Sequence, residues 1–176
     1  VGETLIDETI VWSAWADWLG VPRFTFMAAL GAVIERDEHH RQVFEHFRPG
    51  FDLRAADEER TRAGSLVWFG PHDLYPDVET AFRSLDKAGF RLAIAGNQPR
   101  GAEDILHGLG LPVELVASSE RWGVDKPSPA FFERLCTELK LEPARIAYVG
   151  DRVDNDIRPA NAAGMITVFV RRGPWG

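Results

Sequence analysis

Three carboxylates follow one short apolar run near the end of the chain. The run covers Ile146 to Val149, stops at Gly150, and is followed by Asp151, Asp154 and Asp156. Clustered carboxylates repel one another unless a cation joins them, and hard cations such as Mg²⁺ prefer oxygen ligands. The cluster therefore indicates either a magnesium site or, because Asp also favours turns and helix N-caps, a solvated acidic turn.

The apolar run has the features of a buried strand, and similar runs recur along the second part of the chain. The predicted strands are 90–95, 113–117, 146–149 and 166–170, and segments with helical spacing separate them, the last of which is a predicted helix over 156–163. Strands that alternate with helices predict a parallel sheet. Because ligands bind just beyond the carboxyl ends of such strands, the polar residues at these ends are the candidate site.

Polar groups follow three of the predicted strands. They are Gly96-Asn97, Lys126 in the loop after the second strand, and the Asp151 to Asp156 cluster, with the opening Val1 to Thr4 as a fourth candidate. A lysine beside a carboxylate–metal cluster can neutralise a phosphate oxygen. Backbone N–H groups at glycine-rich turns can hold the remaining oxygens. The pattern predicts a site for a phosphorylated ligand.

Residues 9–70 have a different sequence pattern, which predicts several short helices and no convincing strand. Trp12, Trp15 and Trp18 recur at intervals of three, and Thr25 is predicted to cap the next amphipathic helix. The tryptophan stripe could line a ligand pocket, but packing between two layers is the commoner role of such a stripe.

Composition narrows the classes of partner. The net charge is -7, and no basic cluster is longer than Arg171–Arg172, so neither nucleic acid nor an anionic membrane is expected as a partner. No apolar run approaches the roughly 20 residues that span a bilayer. The single cysteine, Cys136, excludes an intramolecular disulfide and fits a cytoplasmic location. Oligomeric state is left open between monomer and homodimer.

Taken in order, these motifs resemble the haloacid dehalogenase (HAD) superfamily. Gly96-Asn97 is similar to its second motif, 126–132 to its third (a lysine followed by P-x-P), 150–156 to its fourth, and 1–7 to the remainder of its first, DxDGTL. The resemblance implies an α/β fold with a Rossmann-like parallel-sheet core made of 1–8 and 71–176. It also implies an inserted all-helical, C1-type cap made of 9–70.

The resemblance further implies a Mg²⁺-dependent phosphatase that acts on a small phosphorylated metabolite. A first-motif Asp, expected immediately before Val1, would attack phosphorus and form an aspartyl-phosphate. The metal ligands would be the Gly2 carbonyl, Asp151 and Asp156, and the fourth-motif Asp154 has no matching role. A chain without that nucleophile would be catalytically inactive.

The phosphate would be held by Gly96, Asn97 and Lys126, with Lys126 and Asp151 as the catalytic residues of this chain. One departure from the family lies at Gly2, which stands where phosphatases carry a second Asp as general acid. Water or Glu3 would then protonate the leaving group.

Two other activities fit the same residues. A 2-haloacid dehalogenase uses similar ester chemistry without a metal and also lacks the second Asp, although the retained Asp151 and Asp156 favour a metal. A degenerate HAD-fold protein could bind phosphate or Mg²⁺ without turnover, which the glycines at positions 2 and 96 would explain.

Overall fold

The computed structural model describes residues 1–176, which form two compact units. One unit combines Val1–Asp7 with Gly70–Gly176, and the other is the continuous segment Glu8–Phe69. The first contains parallel strands separated by helices, and the second contains helices alone. The predicted α/β class is therefore confirmed.

Four helices make up the Glu8–Phe69 unit. They are α1 (Thr9–Leu19), α2 (Arg23–Glu35), α3 (Gln42–Phe47) and α4 (Leu53–Arg62). The predicted cap at Thr25 is wrong, because α2 already begins at Arg23 after Pro22, whose extended backbone marks the boundary. Helix α4 has a true N-cap, since the Asp52 carboxylate accepts a hydrogen bond of 3.0 Å from the Ala55 N–H.

The tryptophan stripe packs inside this helical unit, as the packing interpretation predicted. Trp12 and Trp15 are buried. The Trp15 ring meets Phe44 edge to face, with 4.9 Å between ring centroids, and Trp18 and Phe51 complete the cluster around it. Such edge contacts between aromatic rings add to the free energy gained by burying them.

The α/β unit contains four strands and five helices. The strands are β1 (Ala93–Gly96), β2 (Leu115–Ser118), β3 (Ala147–Gly150) and β4 (Ile166–Phe169). The helices are α5 (Val78–Lys87), α6 (Ala102–Gly108), α7 (Ser119–Trp122), α8 (Pro129–Leu139) and α9 (Arg158–Ala162). Each predicted strand is present, with its ends shifted by at most three residues.

The strands form two parallel pairs that share one apolar core. In β1–β2 Gly96 lies opposite Ser118, and in β3–β4 Gly150 lies opposite Phe169. The core is built by α8, β3, α9 and their flanks, and β1 packs against it through its alanines. Its buried members are Phe131, Phe132, Leu135, Leu139, Ile146, Tyr148, Ala160 and Met165. The shared core links the two strand pairs.

The segment after β3 differs from the predicted helix 156–163. Val153–Ile157 forms a single π-turn, in which the N–H groups of Asp156 and Ile157 both donate to the Arg152 carbonyl, and α9 starts only at Arg158. A π-turn inserts an extra residue before the helix and is frequent at functional sites. No helix of the chain is both long enough and apolar enough to cross a membrane.

The helical unit buries one charged side chain, Arg60, which is 2% exposed. Its guanidinium carbon lies 3.9 Å from the centre of the Trp15 ring, and the Asp57 carboxylate is 4.0 Å away. One terminal nitrogen has no hydrogen-bond partner. Burial lowers the pKa of Arg60 from its ordinary value, and Asp57 offsets this in part.

We expect the length of Arg60 to matter more than its charge. Arg60→Met should change the free energy of unfolding by less than about 1 kcal/mol, because it fills the space and removes an unpaired buried donor. Arg60→Ala should lose about 2–4 kcal/mol by leaving a cavity beside Trp15. Urea unfolding followed by circular dichroism measures both, and equal losses would show that the cation itself is needed.

Candidate active site

The centre of the candidate site is a buried ion pair between the third and fourth motifs. The Lys126 ammonium nitrogen lies 2.5 Å from the Asp156 Oδ1 atom, and the two residues are 8% and 3% exposed. The rings of Phe131 and Tyr148 flank the ammonium at 6.0 and 5.7 Å. Two residues 30 positions apart in the chain therefore meet in one low-dielectric site.

The environment keeps Lys126 charged. Burial alone would lower the pKa of Lys126, but Tyr148 and the Asp156 carboxylate beside it raise that pKa above its ordinary value. The ammonium can offer its remaining hydrogens to a second anion. A charged, immobile donor of this kind can stabilise negative charge on a bound oxyanion.

Asp156 is held in place by its own turn and by the glycine that ends β3. The Arg152 N–H donates to the Asp156 Oδ2 atom at 3.0 Å. A β-carbon on Gly150 would lie 2.5 Å from the Asp156 side chain, which is closer than any real side chain approaches. Gly150 is therefore required because the carboxylate occupies the space of its missing side chain.

Asp151 lies beside this pair and is connected to the start of the chain. It is 4% exposed, and the Thr4 hydroxyl donates to its Oδ1 atom at 2.6 Å. Burial raises the pKa of Asp151, the Thr4 hydrogen bond opposes that rise, and the Asp156 charge adds to it. A buried carboxylate next to a second one gains free energy when a cation joins it.

Oxygen atoms suited to a hard cation are present at Asp151 and Gly2. The N–H groups of Glu3 and Ile6 form the bridge between Gly2 and Ile6, which leaves the Gly2 carbonyl without a backbone donor. Both oxygens of Asp156 already have partners, so its predicted role as a metal ligand stays a prediction. No group of three His, Cys, Asp or Glu side chains in the chain is arranged so that it could hold a metal ion.

The second motif meets the third through the Asn97 side chain. Its amide nitrogen donates to the Lys126 carbonyl at 2.9 Å, and its oxygen accepts from the Lys126 N–H at 2.7 Å. Gly96 is buried, with the Val1 side chain 3.1 Å from the position of a β-carbon. The predicted phosphate-binding roles of Gly96 and Asn97 stay predictions.

Glu3, the suggested substitute proton donor, is engaged elsewhere. It is 3% exposed and has a left-handed backbone with φ 56°. The Tyr75 hydroxyl donates to its Oε2 atom at 2.5 Å, and Gly173 packs so closely that a β-carbon there would overlap the carboxylate. Burial and the Glu3 charge raise the pKa of Tyr75. Thr4, which lies in the candidate segment at the start of the chain, contacts Asp151, whereas Tyr148 contacts Lys126 although no sequence pattern singled it out.

Known proteins resemble the chain both in sequence and in fold. A family model described as haloacid dehalogenase-like hydrolase matches residues 5–164. A glyceraldehyde 3-phosphate phosphatase from Methanopyrus kandleri is 39% identical over 57% of the chain and 45% of its own length. A phosphoserine phosphatase from Thermus thermophilus is 31% identical over 72% of the chain and 53% of its own length. The chain thus spans about half the length of these curated relatives.

One solved structure shows the same fold over nearly the whole chain. A HAD phosphatase from Thermococcus onnurineus superposes with a TM-score of 0.60 and 22% identity, covering 98% of the chain and 84% of that protein. The resemblance read from the motifs is confirmed at the level of family and fold.

Removing the lysine should cost more stability than removing the whole ion pair. Lys126→Met is expected to lower the free energy of unfolding by about 3–5 kcal/mol, because Asp156 would remain as a buried unpaired charge. The Lys126→Met/Asp156→Asn double variant should recover most of that loss. Urea unfolding of the four proteins of the cycle measures the coupling, and additive losses would contradict a direct pair.

Gly150→Ala should displace Asp156 and destabilise the protein by about 1–3 kcal/mol, as overpacked substitutions do. The matched control is Gly31→Ala in the middle of α2, where a β-carbon meets no atom within 4 Å. That change should stabilise the protein by about 0.5–1 kcal/mol through helix propensity. Thermal unfolding compares the two variants, and a harmless Gly150→Ala would refute the close packing.

Proposed function

Because the chain belongs to the haloacid dehalogenase-like hydrolase family, we propose that it is a Mg²⁺-dependent phosphatase of a small phosphorylated metabolite. The observation that carries the proposal is the charged, buried Lys126 ammonium paired with Asp156, in the segment after β3 where Asp151 is also buried. The two phosphatase relatives support phosphoester hydrolysis over other reactions of the family.

Each site residue has a proposed task. Lys126 donates to a phosphate oxygen and neutralises charge that the phosphate brings into the site. Asp156 keeps the ammonium charged and correctly aimed. Asp151 and the Gly2 carbonyl hold Mg²⁺, because both present oxygen atoms and this ion keeps several waters when few protein ligands are available. When bound, the ion supplies charge screening and orients the phosphate.

The proposed nucleophile is an Asp that would precede Val1 in a longer polypeptide. Two contacts favour this position. The Val1 side chain lies against Gly96 at the end of β1, and Thr4 donates to Asp151 just after β3. A carboxylate one residue before Val1 would therefore be next to both strand ends. Attack on phosphorus would break the P–O bond to the substrate's alcohol, which leaves with a proton from water, and would form an acyl phosphate. Water would then hydrolyse the acyl phosphate, release inorganic phosphate and regenerate the carboxylate.

We further propose a role for the helical segment, a cellular location and an oligomeric state. We assign residues 1–8 and 71–176 to the catalytic core and 9–70 to a cap that shapes substrate choice. The protein would act in the cytoplasm as a monomer or homodimer. In support of that location, the chain has one thiol, Cys136, which is half-buried and has no second cysteine with which to form an intramolecular disulfide.

The test is phosphate release by the full-length polypeptide that carries this chain. Glyceraldehyde 3-phosphate, phosphoserine and glycerol 3-phosphate form the substrate panel, with Mg²⁺ present. Turnover should require Mg²⁺, and Lys126→Ala should lower kcat/KM by about 10²–10³-fold, as expected when one donor to a developing oxyanion is lost. The matched control, Lys87→Ala at the exposed end of α5, should stay within about twofold.

Two results would contradict the proposal. Wild-type turnover no greater than that of a folded Lys126→Ala variant would remove the proposed role of the ammonium. Halide release from 2-chloropropionate that persists in excess chelator would instead assign the protein to the dehalogenases, whose chemistry needs no metal.

A further inference from the structure

The side chain of Asn97 forms hydrogen bonds with both backbone groups of one residue, Lys126. Its amide nitrogen donates to the Lys126 carbonyl at 2.9 Å, while its oxygen accepts from the N–H of the same residue at 2.7 Å. A planar carboxamide offers one donor and one acceptor side by side, as a neighbouring strand would. Asn97 thus pairs with Lys126 as a strand residue pairs across a ladder.

Lys126 has no other backbone partner for these two groups. The turn that contains it is closed by the Ser128 N–H, which donates to the Asp125 carbonyl and bypasses Lys126. The side chain beyond this backbone is buried and ends at Asp156. The position of the ammonium therefore depends on how firmly the Lys126 backbone is held.

We propose that Asn97 is a positioning residue that fixes the Lys126 backbone and so aims the ammonium at Asp156 and the phosphate. The proposal deepens the phosphatase assignment and rests on it for the catalytic consequence. It differs from the family expectation for Asn97, in which the side chain itself holds phosphate. Displacement of a catalytic group by about 1 Å can cost about 10²-fold in rate, so a backbone clamp is sufficient to affect catalysis.

The position of Asn97 explains why the clamp can link two motifs. Asn97 directly follows Gly96, the last residue of β1, so its backbone is fixed by the parallel pairing of that strand. Lys126 lies in the loop that leads into α8. The two hydrogen bonds from Asn97 hold the Lys126 loop, which has no regular secondary structure, at a fixed position relative to the sheet.

Kinetics of a double-variant cycle separate positioning from direct phosphate binding. In the wild-type background, Asn97→Ala should lower kcat/KM by about 10–100-fold. In the Lys126→Ala background the same change should cost less than about threefold, because there is no ammonium left to position. Asn161→Ala, an exposed asparagine in α9, is the matched control and should keep wild-type kinetics. Equal fold-losses in both backgrounds would overturn the proposal and make Asn97 an independent phosphate ligand.

Amide hydrogen exchange of Lys126 tests the clamp without any turnover. Asn97→Ala should accelerate exchange of the Lys126 N–H by about tenfold or more, since its acceptor is lost. Asn97→Asp keeps that acceptor and should leave the N–H protected, while the donor to the Lys126 carbonyl is lost. Circular dichroism confirms that each variant is folded. If Asn97→Ala does not fold, Asn97→Asp still tests the clamp, because loss of protection at the Lys126 N–H in that variant would contradict it.

The two readouts distinguish the possible failures. If the wild-type protein has no phosphatase activity but Lys126 exchange responds as expected, the phosphatase assignment fails and the clamp is retained as a structural fact. If Lys126 exchange is unchanged in Asn97→Ala, the clamp is refuted whatever the activity.

Discussion

The α/β unit must keep the buried Lys126 ammonium, which has almost no access to water, paired with an opposite charge. Taking a pair of opposite charges out of water costs several kcal/mol per ion unless the pair is close and its other bonding groups are satisfied. The structure meets this condition for Lys126 and Asp156 through three devices. Gly150 leaves room for the Asp156 carboxylate, and the Arg152 N–H donates a hydrogen bond to its second oxygen. Asn97 forms hydrogen bonds with the Lys126 backbone.

The same constraint supports the proposed binding of an anion. The pair keeps one positive group fixed and charged, while Asp151 is buried nearby with its oxygen bonded to Thr4. Donors that are already oriented need no rearrangement when charge develops on a bound group, which is the main advantage of a preorganised site. The helical unit uses a different solution for its own buried cation, since Arg60 lies on the face of Trp15.

The sequence predicted more of the fold than of the site's internal bonding. Apolar runs located all four strands, two of which end at a glycine, and the positions of the strand ends indicated that the Lys126 loop and the 151–156 segment would meet. The helix after β3 is present, but it begins two residues later than predicted because a π-turn precedes it, and helical spacing does not encode where the Asp156 carboxylate finds partners. The sequence also did not predict the hydrogen-bond partner of Asn97. A side-chain amide can bind either a phosphate or a backbone group, and only the three-dimensional contacts decide between the two.

The central claim is that Lys126 and Asp156 form a buried charged pair in the folded protein. The most direct measurement is the ¹H–¹⁵N NMR spectrum of the lysine side chains near neutral pH. The account predicts one ammonium signal slow enough in proton exchange to be observed, which disappears in Lys126→Met and shifts in Asp156→Asn. Three lysine ammonium groups that all exchange as fast as those of free lysine would contradict it.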